Sequence, residues 1–177
     1  MKEILESVLP KAGQKFIPYL ISGMEKAEIN TPARISHFIS QVAHESGNFV
    51  YVKEIWGPTP TQTRYEGRKD LGNTQAGDGK RFAGRGLIQV TGRFNYSALS
   101  TYLFGDNRLL QNPELLEQPE YAVMSAIWFW SKNNLNKIAD AGTDKATCEK
   151  VTRRINGGIN GLEDRWKKFQ AILQKLN

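Results

Sequence analysis

The segment from Thr31 to Gly47 constrains the fold most, because it carries every signal that a single amphipathic helix needs. Thr31 suits the N-cap, and Pro32 suits the first helical position, where the missing N–H of proline costs little. The apolar residues that recur at helical spacing and line one face are Ile35, Phe38, Ile39, Val42 and Ala43. Gly47 is a typical C-terminal stop. A chain organised around this helix is predicted to be mostly α-helical.

Helical spacing recurs along the rest of the chain and predicts about seven or eight helices in all. The predicted helices cover residues 2–9, 14–27, 119–133 and 144–155, together with segments that begin near Arg93 and Leu162. Residues 87–90 are short and apolar, and they indicate a strand or a turn-like segment. No internal repeat or low-complexity linker interrupts the chain, so we predict one domain over residues 1–177, with the helices of residues 1–30 packed onto its core.

The stretch from about residue 47 to residue 84 differs from the rest because it is rich in Gly, Pro, Thr and charged residues. It shows little helical or strand periodicity, and loops of this length in compact domains are usually functional or disordered. Its aromatic residues Trp56, Tyr65 and Phe82 favour a functional role. We therefore expect an irregular central cleft region within a helical fold. The run GDGKRFAGRG at its end predicts no nucleotide site, because no βα unit precedes it.

Composition limits the partners and cofactors that we expect. Cys148 is the only cysteine, which excludes an intramolecular disulfide, and with only two histidines we predict no zinc site, no other metal and no cofactor. The net charge of +6 favours a polyanionic partner, such as nucleic acid, anionic lipid or a bacterial cell wall. No apolar run reaches the roughly 18–20 residues that cross a bilayer, so stable membrane insertion is not expected. The N-terminal residues lack the apolar region of a secretory signal, and we expect no export by that route.

Glu45 is the strongest candidate for a catalytic acid. Counted at 100° per residue, its side chain lies about 90° from the centre of the apolar stripe, at the edge of the buried face. It also lies in the last helical turn, where the helix dipole presents partial negative charge. Burial and the dipole both disfavour a carboxylate, so both are expected to raise the pKa of Glu45. A general acid must stay protonated near neutral pH, although a lone glutamate at a helix end is more often simply exposed.

Several motifs occur in an order that resembles one known family. They are HESGNF at residues 44–49, YEGR at 65–68, GRGLIQVTGRFNY at 84–96, and INGGING at 155–161 followed by Asp164 and Arg165. The chain resembles family 19 of the glycoside hydrolases, the chitinase-like group, and more closely the phage and prophage endolysins of that group. The resemblance runs from about residue 33 to residue 170. It implies a lysozyme-like α-helical fold and cleavage of glycan strands with inversion of configuration.

The resemblance also implies catalytic roles for particular carboxylates. Glu45 ends the helix in the motif whose glutamate is the general acid of the family. The general base stays open between two residues: Glu54, in the phrase YVKE, matches the endolysins, and Glu66, in YEGR, roughly matches the plant chitinases. We favour Glu54; taken alone, either residue would more often be a surface glutamate or an ion-pair partner of Lys53 or Arg68. Inversion implies that the two carboxyl groups stand roughly 6.5–9.5 Å apart, with a water between them.

Further positions are implied to hold water and sugar. Thr91 lies where the family uses a hydroxyl to hold the attacking water, and a helix-capping threonine is the alternative interpretation. Amides suit an N-acetyl sugar because each offers a donor and an acceptor. An aromatic ring can stack on a sugar. The family arginine helps to organise the carboxylates. The residues that match such positions are the amides Gln89, Asn95 and Asn156, the aromatic Tyr96 and the arginine Arg165.

Together these motifs predict a peptidoglycan hydrolase, an endolysin that cleaves the β-1,4 bond between N-acetylmuramic acid and N-acetylglucosamine. The positive charge favours the anionic cell wall, but a chitinase that acts on poly-N-acetylglucosamine is the alternative. A non-catalytic cell-wall-binding module is a second alternative. Nucleic acid is not expected as a partner, because no helix-turn-helix signature with a basic face is present. We expect a monomer that stays in the host bacterial cytoplasm until a holin gives it access to the periplasm and the wall.

Overall fold

The computed structural model describes all residues from 1 to 177, and nearly all of its regular structure is helical. The α-helices are α1 (Lys2–Val8), α2 (Ile17–Lys26), α3 (Pro32–Glu45), α4 (Pro60–Thr63), α5 (Asp78–Arg81), α6 (Arg93–Phe104), α7 (Arg108–Gln111), α8 (Pro119–Lys132), α9 (Leu135–Ala139), α10 (Lys145–Asn156) and α11 (Leu162–Leu176). Short 3₁₀ helices cover Lys11–Phe16, Lys69–Leu71 and Pro113–Glu117. Without the four-residue helices α4, α5 and α7, eight α-helices remain, in agreement with the sequence prediction.

The chain divides into two compact units, and each is described by itself. The first unit comprises Met1–Val50 and Phe129–Asn177, and the second comprises Tyr51–Trp128. The expectation of one domain over the whole chain stays a prediction. None of the helices combines the length and the apolar character that crossing a membrane demands.

Helix α3 of the first unit begins and ends where the sequence predicts. The Thr31 hydroxyl accepts a hydrogen bond at 3.2 Å from the amide three residues on, which satisfies one of the amides that a helix N-terminus leaves without a partner. Pro32 is the first helical residue. The helix ends at Glu45, and Gly47 then adopts a φ of 56°. Every residue from Ile35 to Ala43 is buried, so α3 lies in the core of its unit.

Aromatic contacts hold α3 in the first unit. Helix α3 packs on α11, and α1, α9 and α10 pack around this pair. The ring of Phe38 meets the ring of Trp130 edge-on, with the centroids 5.3 Å apart, and both side chains are buried. The ring of His37 packs against the ring of Phe169 on α11, with the centroids 4.2 Å apart. Because α3 is packed on several sides, the residues at its C-terminal end have defined positions.

The second unit contains most of the segment, about residues 47–84, in which the sequence shows little helical periodicity. The prediction that this segment is irregular is incomplete, because it contains short helices. Helices α4 and α5 and the 3₁₀ helix Lys69–Leu71 lie within it. Thr59 and Gln62 form a capping box around α4. The backbone amide of Gln62 donates to the Thr59 hydroxyl at 3.2 Å, and the backbone amide of Thr59 donates to Gln62 Oε1 at 2.8 Å. A four-residue helix is too short to show apolar periodicity, so only its cap marks α4 in the sequence.

The apolar residues 87–90 belong to a closed turn and not to a strand. The Arg85 amide donates to the Val90 carbonyl at 3.1 Å, and the Val90 amide donates back at 2.8 Å. Only isolated bridges are formed here. Gly86 has a φ of 78° and lies so close to α8 that an added Cβ would stand 2.2 Å from the Ser125 hydroxyl. The turn therefore requires glycine at this position.

The N-termini of α2 and α6 bear on two sequence predictions. Helix α2 begins at Ile17 because the preceding residues Lys11–Phe16 form a 3₁₀ helix. Helix α6 begins after Gly92, which is its N-cap, and no side chain caps it. The interpretation of Thr91 as a helix cap is therefore wrong, since this residue lies one position before the N-cap.

Candidate active site

Glu45 lies at the C-terminal end of α3, where its side chain is 20% exposed. This position at the edge of the buried face agrees with the helical geometry expected from the sequence. Oε1 of Glu45 accepts a hydrogen bond from Nη2 of Arg165, a residue of α11. The guanidinium group places a positive charge directly beside the Glu45 carboxyl group.

Arg165 is completely buried, and its guanidinium group is held by three acceptors. Nη1 donates to Gln41 Oε1 at 2.6 Å, Nε donates to the Asn160 carbonyl at 3.1 Å, and Nη2 donates to Glu45. Because the side chain of Arg165 is buried, it cannot contact a glycan directly, and its placement among the sugar-binding positions is wrong. The residue contacts the carboxyl group of Glu45 instead. The implied role of organising the carboxylates stays a prediction.

A second pair lies directly beside the first. His44 Nδ1 and Asp164 Oδ2 are 2.6 Å apart, and Lys168 also pairs with Asp164. Burial alone would raise the pKa of Asp164, but the bonds to Lys168 and His44 outweigh burial and lower it. Gly161, at a φ of 71°, packs against the imidazole ring, and an added Cβ would stand 2.1 Å from Cε1 of His44. Two successive residues of α3 thus bind two successive residues of α11.

Glu54 is half-buried in the second unit, and both of its carboxyl oxygens accept hydrogen bonds. The Gly84 amide donates to Oε1 at 2.5 Å, and Gln62 Nε2 donates to Oε2 at 2.9 Å. The backbone is fixed as well, because the Glu54 amide donates to the Gly84 carbonyl at 2.9 Å. Burial and the negative charge of Glu54 raise the pKa of Tyr65. Each carboxyl oxygen keeps a lone pair through which a water could be bound.

Glu66 is exposed and holds a turn of the backbone together. Its Oε1 accepts from the Gly77 amide at 2.7 Å, and its Oε2 accepts from the Gly79 amide at 2.8 Å. Gly79 lies so close that an added Cβ would stand 2.7 Å from the backbone nitrogen of Glu66. Arg68, the alternative ion-pair partner, bonds to Asp70. Through these contacts the Glu66 side chain stabilises the turn before α5.

Gln89, Thr91 and Asn95 lie on the turn before α6 and on its first helical turn, and all three are partly exposed. The Thr91 hydroxyl donates to the Gln89 carbonyl at 2.9 Å, and Asn95 Nδ2 donates to the Thr91 carbonyl at 2.9 Å. Gln89 has a φ of 57°, and its Nε2 donates to the Gly86 carbonyl at 3.0 Å. The side-chain oxygens of both amides accept no hydrogen bond from the protein, so they remain available to a ligand.

Gly84 brings two of the predicted site residues together in the second unit. A Cβ added to Gly84 would stand 2.9 Å from Gln89 Oε1 and 3.3 Å from Glu54 Oε1. Both side chains therefore pack over the same glycine. No group of three or more His, Cys, Asp or Glu side chains is arranged to hold a metal ion.

Tyr96 and Asn156 have opposite surroundings. Tyr96 is completely buried, its hydroxyl donates to the Ala83 carbonyl at 2.6 Å, and it accepts from Arg85 Nη1 at 3.0 Å. A buried ring cannot stack on a sugar, so the expectation for Tyr96 is wrong. Asn156, the last residue of α10, is exposed in the first unit, and its side chain makes no hydrogen bond to the protein.

The chain matches a known protein family over most of its length. A model of glycoside hydrolase family 19, chitinase class I, matches residues 11–153, which is well over half of the chain. The chain belongs to glycoside hydrolase family 19. The family resemblance of the motifs and the expected glycosidase activity are thereby confirmed.

Relatives of this family 19 hydrolase occur in bacteria and plants. A glycosyl hydrolase family 19 domain-containing protein of Haemophilus influenzae is 30% identical over 90% of this chain and 92% of its own length. An endochitinase of Arabidopsis thaliana is 35% identical over 70% of this chain, but the match spans only 39% of the plant protein. The solved chitinase C from Streptomyces griseus HUT6037 has a TM-score of 0.72 and 25% identity, and the match covers 98% of this chain and 74% of that chain. This likeness confirms the mostly helical, lysozyme-like fold.

The motifs of the family 19 hydrolase do not reveal every residue that shapes the site. Gln62, which donates to Glu54, is buried, and the capping box around α4 is its only mark in the sequence. His44 and Asp164 are the neighbours of Glu45 and Arg165 in the motifs. Their pairing depends on α3 lying against α11, which local spacing does not indicate.

The family 19 hydrolase thus presents two carboxyl groups in different electrostatic surroundings. Glu45 contacts a buried guanidinium group, whereas Glu54 accepts from a neutral amide side chain and a backbone N–H.

Proposed function

We propose that this protein hydrolyses peptidoglycan, as an endolysin that cleaves the β-1,4 bond between N-acetylmuramic acid and N-acetylglucosamine. The observation that carries the proposal is the contact between buried Arg165 and the partly shielded carboxyl group of Glu45. Glu45, as the general acid, gives its proton to the oxygen that bridges the two sugars. Negative charge then develops on its carboxyl group, and the preorganised guanidinium group stabilises that charge.

Glu54 is the proposed general base. A water oxygen attacks the anomeric carbon, the glycosidic C–O bond breaks, and Glu54 takes a proton from the water, so that the configuration inverts. The Thr91 hydroxyl is proposed to hold this water, since its own hydrogen points at a backbone carbonyl and its lone pairs can accept. The separation of roughly 6.5–9.5 Å between the two carboxyl groups stays a prediction.

Two contacts favour Glu54 over Glu66 as the base. The Glu54 carboxyl packs over Gly84 together with Gln89, whose free amide oxygen is suited to an N-acetyl sugar. Both oxygens of Glu66 instead brace the backbone amides of the turn before α5. Loss of that brace would alter the turn, whereas loss of the Glu54 carboxyl would remove a proton acceptor.

The free oxygens of Gln89 and Asn95 are proposed to accept hydrogen bonds from the acetamido N–H or a hydroxyl of the sugar. Asn156, exposed at the end of α10, is proposed to make a similar contact. Peptidoglycan is favoured as the substrate because the net charge of +6 attracts its carboxylates. Chitin is the second candidate, since relatives such as the Arabidopsis thaliana protein are named endochitinases.

The decisive experiment is mass spectrometry of purified peptidoglycan after digestion, with an N-acetylglucosamine hexamer treated in parallel. We expect new reducing ends on N-acetylmuramic acid of the wall polymer, and none with Glu45→Gln; reducing ends on N-acetylglucosamine would show that the other glycosidic bond is cut. Cleavage of the hexamer alone would assign the protein to chitin. Binding to the wall without cleavage of either polymer would overturn the hydrolase mechanism and favour a binding module.

We also propose that the protein acts as a monomer and reaches the wall from the host cytoplasm through a holin. The single buried thiol of Cys148 is compatible with a reducing compartment. Fractionation of expressing cells, with and without a co-expressed holin, tests this route. Clearing of the culture without the holin would contradict it.

A further inference from the structure

Gln41 lies one helical turn before Glu45 on α3 and is completely buried, so neither solvent nor a glycan can reach it. Its side chain nevertheless connects three helices. Nε2 of Gln41 donates to the Thr152 hydroxyl on α10 at 2.9 Å, and Oε1 accepts from Arg165 Nη1 on α11 at 2.6 Å. A residue with no access to substrate is therefore one bond away from the group that contacts the proposed acid.

Thr152 determines which way the Gln41 amide points. The Thr152 hydroxyl donates its only hydrogen to the Cys148 carbonyl at 2.8 Å, so it can only accept from Gln41. The amide nitrogen must therefore face Thr152, and the amide oxygen must face Arg165. The reversed amide would place N–H groups against a guanidinium group, which has only donors.

Arg165 transmits this arrangement to Glu45. The guanidinium group is planar, and two of its nitrogens are held by Gln41 and by the Asn160 carbonyl. With these two bonds in place, the remaining nitrogen Nη2 points at Glu45. Gln41 is also neutral, so the positive charge of Arg165 is not shared with a second carboxylate.

We propose that Gln41 is a positioning residue that, through Arg165, fixes the carboxyl group of Glu45 and reserves the charge of the arginine for it. This inference rests on the proposed role of Glu45 as the general acid. The neighbouring titratable side chains at this end of α3 and on α11 are His44, Asp164 and Lys168, of which His44 and Lys168 both pair with Asp164. They leave Arg165 as the charged partner of Glu45.

The first test is the nearly isosteric change Gln41→Glu. The new carboxylate would compete with Glu45 for Arg165, so Glu45 would hold its proton to higher pH. We expect the alkaline limb of the kcat/KM profile to move up by about one pH unit, with KM within about twofold of the wild-type value. A ¹³C NMR titration of the Glu45 carboxyl group should move in the same direction, whichever glycan is the substrate.

The second test is the pair Thr152→Val and Thr152→Ser, which removes or keeps the hydroxyl that orients the amide. We expect Thr152→Val to lower kcat about tenfold, because Glu45 loses its fixed position, and Thr152→Ser to retain wild-type kinetics. Arg34→Met is the matched control, since it breaks the bidentate ion pair of Arg34 with Asp140 near the other end of α3. It should lower stability and leave both kcat and the pH profile unchanged.

An unchanged pH profile and NMR titration in folded Gln41→Glu, with wild-type kcat in Thr152→Val, would overturn the inference. If Gln41→Glu fails to fold, the two Thr152 variants decide. Valine replaces the hydroxyl that accepts from Gln41 by a methyl group, whereas serine keeps this hydroxyl and loses only the methyl group. Failure of the wild-type protein to cleave either glycan would refute the proposed function alone. The NMR titration of Glu45 would still test Gln41 in that case.

Discussion

Arg165 contacts the carboxyl group of Glu45 although the two residues are 120 positions apart in the chain. One residue earlier on each helix, His44 Nδ1 lies 2.6 Å from Asp164 Oδ2. Two adjacent pairs therefore join the end of α3 to the beginning of α11. As a result, the position of the proposed acid depends on α11 as much as on the helix that carries it.

Replacement of Glu45 by glutamine should abolish activity without unfolding the protein. Glutamine has the size of glutamate, and its oxygen can still accept from Arg165, but it has no acidic proton to give. We expect kcat to fall by about 10²–10⁴. Release of reducing ends from peptidoglycan measures the loss, and an unchanged melting temperature is the control. Activity within a few fold of the wild-type value would remove Glu45 from the mechanism.

The variants Glu54→Gln and Glu66→Gln distinguish the proposed general base, Glu54, from the residue that stabilises the turn before α5, Glu66. Glu54→Gln should lower kcat by about 10² or more, because the attacking water loses its proton acceptor. Glu66→Gln should keep kcat near the wild-type value and lower the free energy of unfolding by about 1 kcal/mol or more, because glutamine can accept from only one of the two backbone amides and its NH2 group faces the other. Kinetics and urea unfolding of both variants provide the measurement. The opposite pattern would identify Glu66 as the base.

Removal of the buried arginine should cost more stability than removal of an exposed one. Arg165→Met leaves Gln41 and the Asn160 carbonyl without their donor and Glu45 without its counter-charge. We expect the free energy of unfolding to fall by about 3 kcal/mol, at the low end for a buried pair because Glu45 is partly exposed. Arg153→Met, which breaks the exposed pair of Arg153 with Glu149 on α10, should cost less than about 1 kcal/mol. Equal losses in urea unfolding would show that the Arg165 contacts contribute little.

Gly161→Ala should disturb His44, whereas Gly105→Ala should not. Both glycines have positive φ, 71° and 72°, so both variants carry the backbone strain of about 1–2 kcal/mol. Only at Gly161 would the new Cβ collide with a neighbour, the imidazole ring of His44; nothing lies within 4 Å of the Cβ at Gly105. We expect a larger loss of melting temperature and a loss of kcat for Gly161→Ala alone. Identical behaviour of the two variants would contradict this contact.

The protein should lose stability as the pH falls below about 6.5, the pKa of an unfolded histidine. Burial lowers the pKa of His37, and its hydrogen bond to the Gly142 carbonyl offsets this only in part. Nδ1 of His37 is buried without a hydrogen-bond partner, so a proton bound there would have no acceptor. The unfolded chain therefore binds a proton in this range that the folded chain does not, which costs up to about 1.4 kcal/mol per pH unit.

Urea unfolding of the wild-type protein and of His37→Gln between pH 7.5 and pH 5 measures this effect. Glutamine can still donate to the Gly142 carbonyl but does not titrate, so the slope of stability against pH should be smaller in the variant. A variant that loses stability with falling pH as steeply as the wild-type protein would show that His37 is not responsible.

The sequence by itself determined the longer helices and the family. The N-cap at Thr31, the apolar stripe behind it and the glycine after Glu45 act over a few residues, and such short-range effects can be read from neighbours in the chain. The motifs around Glu45 and from Gly84 to Tyr96 were long enough to indicate glycoside hydrolase family 19, which the comparisons confirm. They also named Glu45, Glu54 and Gln89 as candidates.

Only the tertiary structure decided what surrounds each candidate. It buries Tyr96 against the Ala83 carbonyl and Arg85, where the sequence suggested that the ring stacks on a sugar. It also buries Arg165 completely against Glu45. It also places Gln41 behind Arg165, with no motif to mark it. Burial and pairing depend on which distant segment packs against a side chain, and the residue types along one segment do not specify that partner.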